Sequence, residues 1–159
     1  MTATLVMGLG NLLMNDDSVG VRAVQGLAKN YSFPENVLLL DGGTLGLDLL
    51  PFLEKVDRLL VIDAVETGGL PGTLVRMTGD EIPLALATKV SPHQMGLKDL
   101  LLVADLQGYV PREMVLWGVQ PGSIEMDIEL SPEVALSMAA LQDKVLEELE
   151  CWGIKAVQK

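Results

Sequence analysis

Three apolar runs set the plan of the chain. Residues 3–11 (ATLVMGLGN), 36–44 (NVLLLDGGT) and 58–66 (RLLVIDAVE) carry Leu, Val and Ile without polar alternation, and each ends at glycine or a carboxylate. Such runs suit strands covered on both faces, as in a parallel sheet. Between the first two, Val21, Val24, Leu27, Ala28 and Tyr31 recur at helical spacing. Between the second and third, LGLDLLPFLEKV reads as a short helix with Pro51 in or near it, and GTLVRM and EMVLWGVQP supply further strands.

Two later stretches read as helices. Leu97, Leu100, Leu101 and Ala104 share one face just after His93, the lone histidine. Further on, Val134, Met138, Leu141, Val145, Leu149 and Trp152 step by three or four, the spacing of one helical face. Ser131 and Pro132 precede that run as N-cap and first-turn proline, and Ser91 and Pro92 give the same start signal before His93. Strands alternating with helices predict an α/β chain: a three-layer α/β/α sandwich around a twisted, mostly parallel sheet of about five strands.

Composition narrows what such a chain does. Its 159 residues show no linker or internal repeat, which predicts one domain over residues 1–159. Against 11 Lys and Arg stand 22 Asp and Glu, a net charge of −11, so nucleic acid and anionic membrane are not expected partners. The excess negative charge suits solubility, attraction of a metal, or a basic partner surface. One cysteine, Cys151, forms no intramolecular disulfide and suits a reducing cytoplasm. The apolar start MTATLVMGLGNLL lacks a basic leader segment and reads as a buried strand rather than a signal peptide. No apolar run approaches the roughly 18 residues of a membrane span.

An open α/β sheet binds ligands outside the carboxyl ends of its strands. Asp17 follows the first run by a short loop, Asp41 ends the second and Asp63 ends the third, so parallel strands bring all three to one edge. Asp41 has a plain explanation as half of an Asp-Gly turn, and Asp16 and Asp17 suit capping of the following helix. Asp63 resists such an explanation, because it closes an apolar run and is followed by Ala64 and Val65. Burying a carboxylate there is costly unless it is paired, hydrogen-bonded or metal-bound. His93 taken alone reads as an ordinary hydrogen-bonded histidine. At a helix start, however, the dipole keeps its imidazole neutral, which is the metal-binding form. One nitrogen and two carboxylates suit Zn, Ni, Mn or Fe without choosing among them.

GLGNLL invites a competing, dinucleotide-binding reading, with Gly8 and Gly10 as its first two glycines. Leu13 then stands where a small residue would be needed, Asp16 and Asp17 would repel a pyrophosphate, and Asp41 lies beyond the roughly 20 residues expected of a ribose-binding acid. The two glycines are better read as a tight turn from strand to loop.

The segments MGLGNLLMNDDSVGVRAV, LDGGTLGLDLL, VIDAV and SPHQMGLKDLL follow one another in the order and spacing of the nickel-iron hydrogenase maturation endopeptidases. The chain resembles that family over nearly its whole length, including LWGVQP and the last helix. The resemblance implies an α/β fold with a twisted sheet flanked by helices. It also implies removal of a short C-terminal peptide from the hydrogenase large-subunit precursor once the nickel-iron centre is loaded. By motif, Asp17, Asp63 and His93 match the family's metal-binding trio, and Asp41, beside Gly42 and Gly43, matches a further functional carboxylate. These four form the implied catalytic set. The implied metal is nickel supplied by the precursor, with other divalent metals fitting the same donors. The family often has Glu where this chain has Asp17, and Gly or Ala where it has Ser18; a shorter carboxylate shifts the geometry but keeps oxygen ligation.

Water activation stays open between a carboxylate base such as Asp41 or Asp17 and a metal that lowers the water's pKa. Cys151, far in sequence from His93, reads as a plain helix residue. The expected protein is a cytoplasmic monomer whose partner is the large-subunit precursor. Two other readings compete: a metal-sensing module or chaperone that does not cleave, and a nucleotide-binding protein on a similar fold.

Overall fold

The computed structural model describes residues 3–43, 46–79, 81–82 and 97–159. Its strands are β1 (Thr4–Leu9), β2 (Tyr31–Ser32), β3 (Val37–Gly43), β4 (Arg58–Ala64), β5 (Leu74–Thr78), β6 (Glu113–Val119) and β7 (Val157–Gln158). Its helices are α1 (Val19–Asn30), α2 (Leu50–Leu53), α3 (Leu97–Gln107) and α4 (Pro132–Cys151), with 3-10 turns at Asn15–Ser18 and Gly46–Leu49. Five strands form one sheet in the order β3-β1-β4-β6-β5. The first four of these run parallel, and β5 lies antiparallel at the edge, so the mostly parallel sheet is borne out.

The apolar runs lack polar alternation because both faces of the sheet are covered. In β1, Leu5, Met7 and Leu9 pack with Leu49, Leu53, Leu101 and Ala104, on the side of α2 and α3. Val6, between them, packs with Val19, Ala23, Val24 and Leu27 of α1 and with Val134, Leu141, Val145 and Leu149 of α4. β4 divides in the same way, Leu59 and Val61 against Leu60, Ile62 and Ala64. Each fully buried side chain of this kind contributes roughly 1.5–3 kcal/mol. That burial explains α2, which at four residues is far too short to persist by itself and is held by buried Leu49 and Leu53.

The helix expected after the first strand ends earlier than its apolar spacing implied. Ala28 is exposed, and Tyr31 has left the helix to pair with Gln158 in a small antiparallel β2–β7 ribbon. Tertiary pairing with the end of the chain wins over helical periodicity here.

The strand order fixes where a ligand belongs. From β1 the chain passes through α1 to β3 on one side, then returns to β4 on the other side of β1. The carboxyl ends of β1 and β4 are therefore neighbours whose connections leave in opposite directions, the topological switch point of the sheet.

Candidate functional site

Clearance at the switch point comes from three glycines. A Cβ on Gly8 would lie under 3.0 Å from the Gly20 carbonyl oxygen, and one on Gly20 would crowd the carbonyl oxygens of Ile62 and Leu9. The first turn of α1 thus rests directly on the backbones of β1 and β4. In the dinucleotide-binding reading, this close packing fell to the position of Leu13. The structure gives it to Gly20. Gly10, with φ of +126°, packs against the carbonyl of Asp17, which a Cβ there would strike. The chain's own 3-10 turn fills the space that a pyrophosphate-binding loop keeps open.

That turn carries Asp17, which is 5% exposed and accepts the Asn11 N–H at 3.0 Å. Asp63, 2% exposed, sits one residue before the end of β4 and accepts the Ala64 N–H at 2.8 Å. The chain beyond Asp63 is steadied by β6. Val65 N–H donates to the Val119 carbonyl at 3.0 Å, and Gln120 Oε1 accepts from the N–H and hydroxyl of Thr67 at 2.6 and 2.8 Å. Asp17, in the turn that follows β1, and Asp63, near the end of β4, are therefore two buried carboxylates at the carboxyl edge of the sheet.

Asp41 is placed differently. It pairs with Gly8 inside β3, which continues to Gly43, so Asp41 and Gly42 do not form the turn their sequence allows. Its side chain is exposed and accepts from Gln25 Nε2 of α1 at 3.3 Å. By strand alternation it shares the face of Val37 and Leu39, which pack with the α1 cluster, whereas Asp63 follows Leu59 and Val61 on the other face. Among the described residues, no three His, Cys, Asp or Glu side chains are grouped to hold a metal. His93, with Ser91 and Pro92, lies outside the described residues.

Neither Asp16 nor Asp17 caps the helix as their position suggested. Asp16 is wholly buried, and its carboxylate accepts four hydrogen bonds from a loop more than a hundred residues away. The donors are Gly122 N–H at 2.7 Å, Ser123 N–H at 3.0 Å, Ser131 N–H at 2.7 Å and Ser131 Oγ at 2.7 Å. Burial alone would push this carboxyl up; the bonds from Ser131, Ser123 and Gly122 outweigh it and hold Asp16 below its ordinary value. Ser131 does occupy the N-cap position of α4, yet its hydroxyl is committed to Asp16 rather than to the helix.

A family model for hydrogenase maturation protease matches residues 21–148. The chain is 38% identical over 156 residues to the hydrogenase 2 maturation protease of Escherichia coli K12, spanning 98% of this chain and 95% of that one. It is 45% identical to the hydrogenase expression/formation protein HupD of Rhodobacter capsulatus, spanning 97% of this chain and 74% of the relative. The solved structure of the hydrogenase maturating endopeptidase HybD from Escherichia coli superposes with a TM-score of 0.94 at 36% identity, covering 99% of this chain and 98% of that one.

The chain belongs to the hydrogenase maturation protease family.

In this maturation protease, the loop that carries Asp17 is locked to the loop after β6. Asn15, at φ of +27°, donates from Nδ2 to Ser123 Oγ at 2.7 Å and accepts the Glu125 N–H on Oδ1 at 3.0 Å. Its backbone N–H donates to the Asp127 carbonyl at 2.9 Å, and Asp127 N–H returns a bond to the Leu13 carbonyl at 3.1 Å, closing a parallel bridge. Arg22 of α1 donates to Ser18 Oγ at 2.9 Å and to the Ile128 carbonyl. Sequence reasoning missed this framework, since its partners are 106 to 115 residues apart along the chain. No described helix is long and apolar enough to cross a membrane.

Proposed function

We propose that this maturation protease removes a short C-terminal peptide from the nickel-loaded large-subunit precursor of a nickel-iron hydrogenase. Asp17, Asp63 and His93 take hold of the precursor's nickel. The observation that carries the reading is the pair of buried carboxylates, Asp17 and Asp63, at the switch point of a chain from this family. Hard oxygen donors with one imidazole suit a divalent metal that arrives with the substrate, and other divalent metals of similar size fit the same set. Held there, the metal supplies a Lewis acid beside the scissile peptide.

The protein's own groups do the rest. Asp17 and Asp63 are fixed by backbone N–H groups, so they meet the metal with little reorganisation. Asp41, exposed and bonded to Gln25 on the other face of the sheet, is assigned to the precursor's chain rather than to the attacking water. Replacing Asp41 by Asn should then raise KM more than it lowers kcat.

The test is incubation with nickel-loaded precursor, followed by mass spectrometry for a shortened product. Asp63→Ala and His93→Ala should each abolish shortening. A wild-type protein that binds the loaded precursor without ever shortening it would instead be a metal-sensing module. Tight binding of NAD or ATP without any response to nickel would favour a nucleotide-binding protein.

A further inference from the structure

Beside the proposed metal site, five apolar side chains face solvent. Leu12 and Leu13 belong to the loop that leads to Asp17, and Ile124, Met126 and Ile128 to the loop after β6; Met126 is 88% exposed, Ile128 65% and Leu13 61%. The Leu13–Asp127 and Asn15–Asp127 backbone bonds hold the two loops edge to edge, and the four bonds to Asp16 anchor them from beneath. Exposed apolar residues on loops fixed this firmly are a surface whose ordering cost is met before a partner arrives.

Charge decides which partner. Glu125, Asp127 and Glu129 alternate with the apolar residues and are exposed, while residues 11–18 and 121–131 contain no Lys or Arg. Arg22 is engaged with Ser18 and the Ile128 carbonyl. In a two-fold pairing of this surface with itself, the same three acids would meet their copies, between chains of net charge −11. An apolar segment flanked by lysine or arginine would meet complementary charge instead.

We propose that Leu12, Leu13, Ile124, Met126 and Ile128 form the surface on which the large-subunit precursor docks, through an apolar segment with basic flanks. This rests on the proposed function, since it names where that substrate binds. Docking on the Asp17 loop places the precursor's metal and tail at the switch point, and the alternating acids align it there.

The experiment measures Kd for nickel-loaded precursor together with kcat and KM for its shortening. Met126→Ser/Ile128→Ser should raise both Kd and KM roughly tenfold, with kcat little changed. Leu136→Ser, at an equally exposed apolar position on α4, should change none of them. Unchanged Kd and KM in the double variant would overturn the proposal. So would light scattering that shows a wild-type dimer dissociated by the double substitution, because a second copy would then be the occupant. A wild type that binds the precursor without shortening it sinks only the hydrolysis reading, and the two Kd values still decide docking. A wild type that does not bind the loaded precursor overturns docking as well.

Discussion

At the amino end of the sheet, charge is met by charge. Arg58, the first residue of β4, donates to the Trp152 carbonyl at 2.9 Å, lies 3.6 Å from Glu113 Oε2 and sits 5.7 Å from the centroid of the Trp152 ring. It fastens the end of α4 to the sheet. At the carboxyl end, the described bonds to Asp16, Asp17 and Asp63 come from backbone N–H groups and one serine hydroxyl. One end is fastened by a cation set between a carboxylate and a ring; at the other, backbone N–H groups orient three buried carboxylates.

Substitutions should separate the two ends. The largest effect expected is on Asp63→Asn: shortening of the precursor slows at least about a thousandfold, roughly 4 kcal/mol of transition-state stabilisation. Its urea midpoint should stay near wild type, and a near-normal rate would remove Asp63 from the chemistry. Gly20→Ala should cost about 3–4 kcal/mol in urea unfolding, because its Cβ meets the backbone of Ile62 and Leu9 rather than a movable side chain. A variant as stable as wild type would mean that α1 can lift off the sheet cheaply.

Asp16→Ala follows, at about 2–3 kcal/mol, because three part-buried N–H groups and a hydroxyl lose their acceptor. The sign of its pH dependence is fixed by the depressed value in the fold. The ionised form contributes stability above the unfolded carboxyl pKa of about 4, and that contribution is lost as pH falls through the lower folded value. Asp16→Asn should flatten this acid limb of the stability–pH curve; an unchanged limb would place the acid sensitivity elsewhere. Smallest is Arg58→Met, expected to cost about 1 kcal/mol of stability with the cleavage rate within about twofold of wild type. A large loss of activity there would erase the contrast between the ends.

How much of this could be read from sequence depends on how local each cause is. The strands were legible because two-sided burial demands unbroken apolar runs, as in Leu59–Ile62 of β4. Asp63 was legible as a carboxylate with no turn to explain it. Ser131 was legible as the N-cap position because Ser-Pro is a local helix-start signal, but its hydroxyl's partner, Asp16, was not, being 115 residues away. Gly20 passed unnoticed because the need for glycine is set by a carbonyl of β4, which the sequence around α1 does not contain. Asp41 read as half of an Asp-Gly turn, yet it lies inside β3, because pairing with Gly8 of β1 carries the strand on to Gly43. His93 drew its role from the family motif and lies outside the described residues.

The clamp on Asp16 also sets an order of events in time. Its bonds reach Gly122, Ser123 and Ser131, so none can form until those residues have been synthesised. Until then, the turn that carries Asp17 has only near-sequence anchors, such as the Asn11 N–H that Asp17 accepts. A chain that ends before Gly122 therefore lacks this clamp, and the turn beside Asp17 gains its long-range anchors only once the segment from Gly122 to Ser131 is present.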